Sequence, residues 1–378
     1  MKLYCMTKVA GILVLIITLI ECRKPYDPPA ITAVSNYLVV EGVINPGADS
    51  TIIRLSRTVN ISSKITANPE QGAVLAVESE KNASYPLTEN TAGRYVSPGL
   101  NLDVNSKYRL RIKTTDNKQY LSDFEPAYIT PRIDSIGYNI TSVPDTGLQI
   151  YVNTHNTNNS TRYYRWSFGE TWRFHTKYIS SYISNGFSIV LRQPDQGIFY
   201  CFASDSSTDV VLGSSARLKD NIIYQSPIVH IPNTSEKIEM EYSILLQQYT
   251  LTPGAYAFWT NLKKNTEQLG SIFDAQPSQL KGNIHNVDNP AEPVLGYVSI
   301  SSVQSKRVFI NNNALPGAWQ PIYPYDCEVD SPGTQGPSFL IPQPNNFVPL
   351  SVGGGTYSTR ACADCTIRGT TKPPPFWK

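Results

Sequence analysis

Cysteines, histidines, and a row of aromatic and arginine side chains are the groups in this chain with chemistry to offer, and their spacing limits what each can do. Apart from Cys5 and Cys22 near the N-terminus, the cysteines are Cys201, Cys327, Cys362 and Cys365. An even number downstream of an export-type leader argues for disulfides, with three possible pairings. Cys362-Ala-Asp-Cys365 could also be half a zinc ribbon or a redox pair. Zinc would need a second such pair, and redox chemistry a βαβ setting, and neither surrounds it. The expectation is a staple from Cys327 to one of the two closely spaced cysteines.

His155, His175, His230 and His285 lie far apart, and none belongs to an HExxH or HxH pattern. They are expected to be surface or hydrogen-bonded structural residues. There is no GxSxG elbow, no DxDxDG calcium loop and no local Cys–His pair pointing to a thiol nucleophile. Gly353-Gly-Gly355 lacks the lysine and following helix of a phosphate loop and is read as a turn. Glu239 and Glu241 project to the polar side of a strand, whereas a glycosidase needs two acids facing a cleft. No catalytic, cofactor-binding or metal-binding residue is assigned, and an enzyme is not expected.

The stretches Arg162-Tyr-Tyr-Arg-Trp-Ser-Phe168 and Glu170-Thr-Trp-Arg-Phe174 are different. Aromatics interleaved with arginines can stack sugars or peptides, which makes Trp166, Trp172 and Trp259 candidate ligand contacts. The plainer expectation is that Tyr164, Trp166 and Phe168 line one core face. If a ligand binds, the place to look is where Tyr163 to Phe174 meets the helix around Trp259.

Those residues have to be positioned by strands. Residues 36–130 read as short strands between turn signals, such as Tyr37 to Ile44, Thr51 to Arg57 and Tyr108 to Lys113. In the last, Tyr108, Leu110 and Ile112 alternate with Arg109, Arg111 and Lys113, the period of a half-buried sheet. Asp116-Asn117 suits a tight hairpin turn. Six or seven such strands in about 95 residues fit an immunoglobulin-like β-sandwich, and Thr130-Pro131 marks its boundary.

A larger β-rich domain is expected over 131–310. Leu148, Ile150 and Val152 alternate with Gln149, Tyr151 and Asn153, and a long strand is expected to run from Ile238 through Leu246. One helix is predicted over 253–269, with Thr252 as N-cap, Pro253 in the first turn and Gly270 closing it. Its apolar stripe is Ala255, Phe258, Trp259, Leu262, Thr266 and Leu269, with Lys263, Lys264, Glu267 and Gln268 on the other side. Residues 311–378 hold eleven of the 28 prolines, and their cysteines predict a tail stapled to the second domain.

The first 21 residues read as a signal peptide. Lys2 and Lys8 precede an apolar run from Val9 to Ile20, which is too short for the roughly 20 residues that span a bilayer. Leu19-Ile20-Glu21-Cys22 resembles a bacterial lipobox, with Glu21 where a small residue is usual. Cys22 is therefore the expected lipidation site, and residues 22–35, with Pro25, Pro28 and Pro29, the stiff tether. Each buried acyl CH2 contributes about 0.8 kcal/mol of membrane affinity, so several chains hold firmly. Loss of Lys2, Lys8 and Glu21 with the leader leaves 30 basic against 29 acidic residues, from 32 and 30 in the whole chain. That balance gives no reason to expect nucleic acid as a partner. Low charge, 23 Tyr and 28 Pro suit an exported, mainly β protein.

The chain also resembles the family of Bacteroidota lipoproteins known as domain of unknown function 4249. The likeness is carried by Asn36-Tyr-Leu-Val-Val-Glu-Gly42, Ile53-Arg-Leu-Ser-Arg-Thr58, Arg162-Tyr-Tyr-Arg-Trp166, Gln248 to Trp259, Gly270 to Asp274, Gln276 to Ile284, Pro293 to Val298, Cys362 to Cys365 and Phe376-Trp377, in that order. The resemblance implies an outer-membrane lipoprotein, typically encoded beside a TonB-dependent transporter whose barrel it caps or supports. It brings no catalytic residues. Arg23-Lys24 stand where early acidic residues tend to mark surface export, so cell surface and periplasmic face both stay open. A non-catalytic accessory or ligand-capturing subunit of the transporter is the leading expectation. The alternatives are an adhesive or scaffolding envelope lipoprotein and, behind it, a surface hydrolase.

Overall fold

The computed structural model describes residues 36–59, 68–157, 161–267, 281–317, 319–323, 325–331, 333 and 346–377. The leader, Cys22, the tether, helix positions 268 and 269 and the expected cap at Gly270 lie outside them. The chain is mainly β, with one substantial helix.

Eight strands open the described chain: β1 (Leu38–Ile44), β2 (Thr51–Arg57), β3 (Val74–Ser79), β4 (Ser84–Thr91), β5 (Arg94–Ser97), β6 (Lys107–Lys113), β7 (Gln119–Ser122) and β8 (Glu125–Pro126). The next eight are β9 (Ile133–Thr141), β10 (Gly147–His155), β11 (Tyr163–His175), β12 (Tyr182–Ser184), β13 (Ile189–Leu191), β14 (Tyr200–Ser206), β15 (Val211–Ser214) and β16 (Ile222–Pro232). Strand β17 (Glu241–Leu251) leads into α1 (Pro253–Glu267), followed by β18 (Ile284–Asn286), β19 (Ser299–Ile300), β20 (Val303–Asn311), β21 (Phe347–Pro349) and β22 (Tyr357–Thr359).

The first unit is one continuous sheet path, β18-β7-β6-β3-β4-β5-β2-β1-β19, with β8 on β6, folded as a sandwich around a single core. Alternation decides what enters that core. Tyr108, Leu110 and Ile112 are buried in it, while Arg109 and Arg111 turn outward and share the Glu78 carboxylate at 2.9 and 2.6 Å. The predicted turn forms, with Asn117 at φ 63° between Thr114 and Lys118. Strand β1 is bonded along both edges, antiparallel to β2 and parallel to β19. Leu295 extends the β19 side, accepting from Val40 N–H at 2.8 Å and donating to the Leu38 carbonyl at 2.9 Å.

The second unit packs a three-stranded sheet, β16-β10-β9, against a five-stranded one, β14-β11-β17-β20 with β15 on β11. Leu148, Ile150 and Val152 are fully buried between them. Turning even one outward forfeits roughly 1.5–3 kcal/mol, so a one-residue slip of β10 is excluded and the register is held. The amide of Gln248, fully buried, accepts from Trp166 Nε1 at 2.9 Å and donates to the Pro131 carbonyl at 2.8 Å and Thr154 Oγ1 at 3.1 Å. It ties β17 to β11, to β10 and to the link between the two units.

Three expectations shift. Residues 284–300, assigned with 131–310, return instead to the first sandwich through β18 on β7 and β19 on β1. The long strand begins at Glu241, because Glu236–Ile238 forms a 3-10 turn that still buries Ile238. On α1, Thr252 Oγ1 accepts from Ala255 N–H at 3.2 Å as an N-cap should, but Thr266 is exposed and Lys263 turns inward to the Val210 carbonyl at 2.8 Å.

Two disulfides form, Cys201–Cys365 and Cys327–Cys362, so the paired cysteines of Cys362-Ala-Asp-Cys365 go to different partners. Cys201–Cys365 joins the tail to β14 of the second unit, and Cys327–Cys362 closes a loop within the tail. The C-terminal Trp377 packs edge-on to Phe202 and Phe309 and donates to Glu241 at 3.0 Å, while the Arg307 guanidinium lies 3.5 Å from the centre of the Phe376 ring.

Burial pushes the Tyr120 and Tyr164 phenols up to about 12, with Glu292 beside Tyr120 adding to the effect. Their stabilisation is complete below the unfolded-chain value of 10.0 and is lost as pH rises through about 12. Denaturant unfolding followed across that alkaline range is expected to show a falling midpoint, and Tyr120→Phe to make the fall shallower.

Candidate functional site

Strand β11 presents its even-numbered residues to the core. Tyr164, Trp166, Phe168, Trp172 and Phe174 are all buried there. Tyr164 and Trp166 stack at 6.0 Å, and Trp172 Nε1 donates to Glu236 at 3.3 Å. Trp166 and Trp172 are therefore core residues and not the ligand contacts suggested above. The physical reason is parity: both share the side of β11 that faces β10 and β16.

The odd-numbered residues point the other way, onto a face that β17 and β20 continue. At one end of it a cleft of about 1120 Å³ opens. Its walls are this face (Arg165, Ser167, Gln247, Tyr249, Ser305), α1 (Phe258, Trp259, Leu262) and the β1–β2 edge of the first sandwich. The aromatic stretch thus meets the helix around Trp259 as expected, through Arg165 and Tyr163 and not through its tryptophans. Tyr163 packs on Tyr256 at 4.8 Å.

Arg165 is the centre of the arrangement. Its guanidinium carbon lies 4.5 Å from the centre of the Tyr249 ring and 4.3 Å from that of Trp259, a cation held by aromatic faces. Its Nε is shut off from solvent and has no acceptor, and it makes no ion pair among the described residues. Other arginines do better: Arg57 pairs with Glu70 at 2.7 Å, and Arg360 with Asp364 at 2.6 Å. Burial pulls the Arg165 guanidinium below its ordinary value, with Tyr249 opposing the shift. A partly desolvated cation at the wall of a large cleft, with donors unused, is equipped to receive an acceptor group. The signal for it in the sequence was an arginine at an outward position between Tyr164 and Trp166.

The floor is built by close backbone contact. Gly296 has φ +130°, and a Cβ there would stand 2.1 Å from the Val40 carbonyl oxygen. Beside it, Tyr297 packs on Phe258 at 5.5 Å and its hydroxyl bonds Glu125, while Thr252 Oγ1 lies 3.4 Å away. Burial, reinforced by Glu125, raises the Tyr297 phenol. This chain of contacts fastens the start of α1 to the first sandwich.

A second hollow of about 640 Å³ lies at the link between the units, beside Thr130, Pro131 and His155. It is smaller and holds no comparable unpaired cation. Each histidine meets one carboxylate: His155 with Asp134, His175 with Glu239, His230 with Asp145 and His285 with Asp123. No group of three potential metal ligands exists among the described residues. Glu239 accepts from Tyr323 at 2.8 Å and Glu241 from Trp377, so both are taken up by the tail.

Among the described residues, two β units enclose an aromatic–arginine cleft that forms a developed concave site. The family model described as domain of unknown function (DUF4249) matches residues 23–307, and the chain belongs to that family. No curated protein matches it.

Gly296→Ala is expected to cost about 2 kcal/mol or more, from backbone strain and the clash with Val40. Chemical denaturation measures it, and an unchanged midpoint would contradict the close approach described.

Proposed function

We propose that the protein is a lipid-anchored outer-membrane subunit, non-catalytic, that captures a ligand for, or supports, a TonB-dependent transporter. The observation that carries capture is the cleft, whose aromatic clamp holds Arg165 with donors unused. Pre-formed clefts lined by apolar and aromatic groups with a few polar ones are the usual form of a small-molecule site. The anchor rests on the leader and on Cys22, and the transporter on the family likeness. Nutrient uptake is the process this combination serves. The first sandwich supports a second reading, an adhesive or scaffolding envelope lipoprotein.

Tagged protein drawn from native outer membrane in mild detergent is expected to bring down a large β-barrel in near-stoichiometric amount. Cys22→Ala is expected to release the protein from the membrane fraction. Recovery of the lipidated protein alone would set the transporter role aside in favour of adhesion.

A further inference from the structure

We propose that the cleft binds a monoanionic carboxylate carrying an apolar body, with the Arg165 guanidinium as the receptor for the carboxylate. This rests on the cleft being a capture site and is independent of the transporter. Three observations lead there. The first is the unmet hydrogen-bonding capacity of Arg165: Nε is buried without an acceptor, the two terminal nitrogens, which keep contact with the cleft, make no hydrogen bond, and no carboxylate neutralises the group among the described residues. Leaving a partly desolvated charge in this state costs free energy that a ligand acceptor would recover.

The second is geometry. The guanidinium carbon lies over the Tyr249 and Trp259 rings, and these contacts occupy none of the group's N–H donors, which stay available to a ligand. A carboxylate matches the guanidinium fork with two parallel bonds. Ser167, Gln247 and Ser305 lie on the same sheet face and supply neutral polar groups beside it. On the helix side and along part of the first sandwich, Val43, Ile52, Phe258, Leu262 and Leu295 supply apolar surface for a hydrocarbon or aromatic body, while Asn45, Asp49, Ser50 and Arg54 keep the rest of that wall polar.

The third is charge. Arg54 is the other cation on the cleft lining, and Glu41 and Asp49 share the first-sandwich rim with it. One positive charge at the clamp and carboxylates at the opposite rim suit a single negative charge at one end and disfavour a dianion. Arg165 could instead serve only to glue α1 to the sheet, and the test separates the two.

Isothermal titration calorimetry of the mature chain with naphthoate, naphthyl phosphate and naphthyl methanol makes that separation. Naphthoate is expected to bind with 1:1 stoichiometry, and tighter than both others. Arg165→Gln is expected to weaken it roughly 10- to 100-fold, the range for losing hydrogen bonds to a charged group, and to weaken naphthoate more than naphthyl methanol. Should Arg165→Gln fail to fold, Arg165→Lys keeps the charge without the fork and is expected to weaken naphthoate in the same direction. Naphthoate and naphthyl methanol binding equally would overturn the carboxylate assignment and leave capture standing. Tighter binding of naphthyl phosphate would overturn it too, as would a folded Arg165 variant with undiminished naphthoate affinity. No binding by any of the three would end both the assignment and the capture reading.

Discussion

One buried amide sets which way the second unit faces. Gln248 has no contact with water, and it satisfies the indole N–H of Trp166 as well as the carbonyl of Pro131 and the hydroxyl of Thr154. Deleting it would strand a buried indole donor, at a cost of about 1–3 kcal/mol. With Gln248 and Trp166 held inward, their neighbours Tyr249 and Arg165 are held outward, because successive residues of a strand take opposite faces. The aromatic clamp of the cleft is therefore the reverse side of the core's own polar contact.

The outward face of β11, β17 and β20 is covered at both ends by different parts of the chain. At the Arg165 end the cover is α1 and the first sandwich. At the other end it is the tail, with Phe376 over Arg307 and Trp377 bonded to Glu241. The Cys201–Cys365 disulfide keeps that second cover in place, since it joins the tail to β14. A sheet whose two faces are both occupied reads in sequence as continuously rich in large side chains, as 162–174 does.

That double coverage explains what was legible in the sequence and what was not. Where one face meets water, as in β6, the alternation of Tyr108, Leu110 and Ile112 with Arg109, Arg111 and Lys113 marks the core side directly. In β11 aromatics point inward while Arg165 and Tyr163 meet further aromatics outside, so composition left Trp166 open between core and site; the plainer expectation, that Tyr164, Trp166 and Phe168 line one core face, is the one burial bears out, and Trp172 joins them. Trp259, named from composition alone, lies on the cleft lining beside Phe258 and Leu262 of the same helical stripe. The return of 284–300 to the first sandwich left no local mark, since β18 and β19 are three and two residues long and pair with strands far back in the chain. Arg165 stood in plain view, but its lack of a hydrogen-bond acceptor among the described residues is a property of the fold.

Strand β1 is the first described element after the N-terminal segment, and it is bonded along both edges, to β2 on one side and to Leu295 and β19 on the other. A load applied at Leu38 enters the fold through β1. A pull along the axis of β1 strains those bonds together, as shear, and does not open them one after another. The same strand borders the cleft, so the bonds that fix β1 along both edges also fix that wall of the cleft.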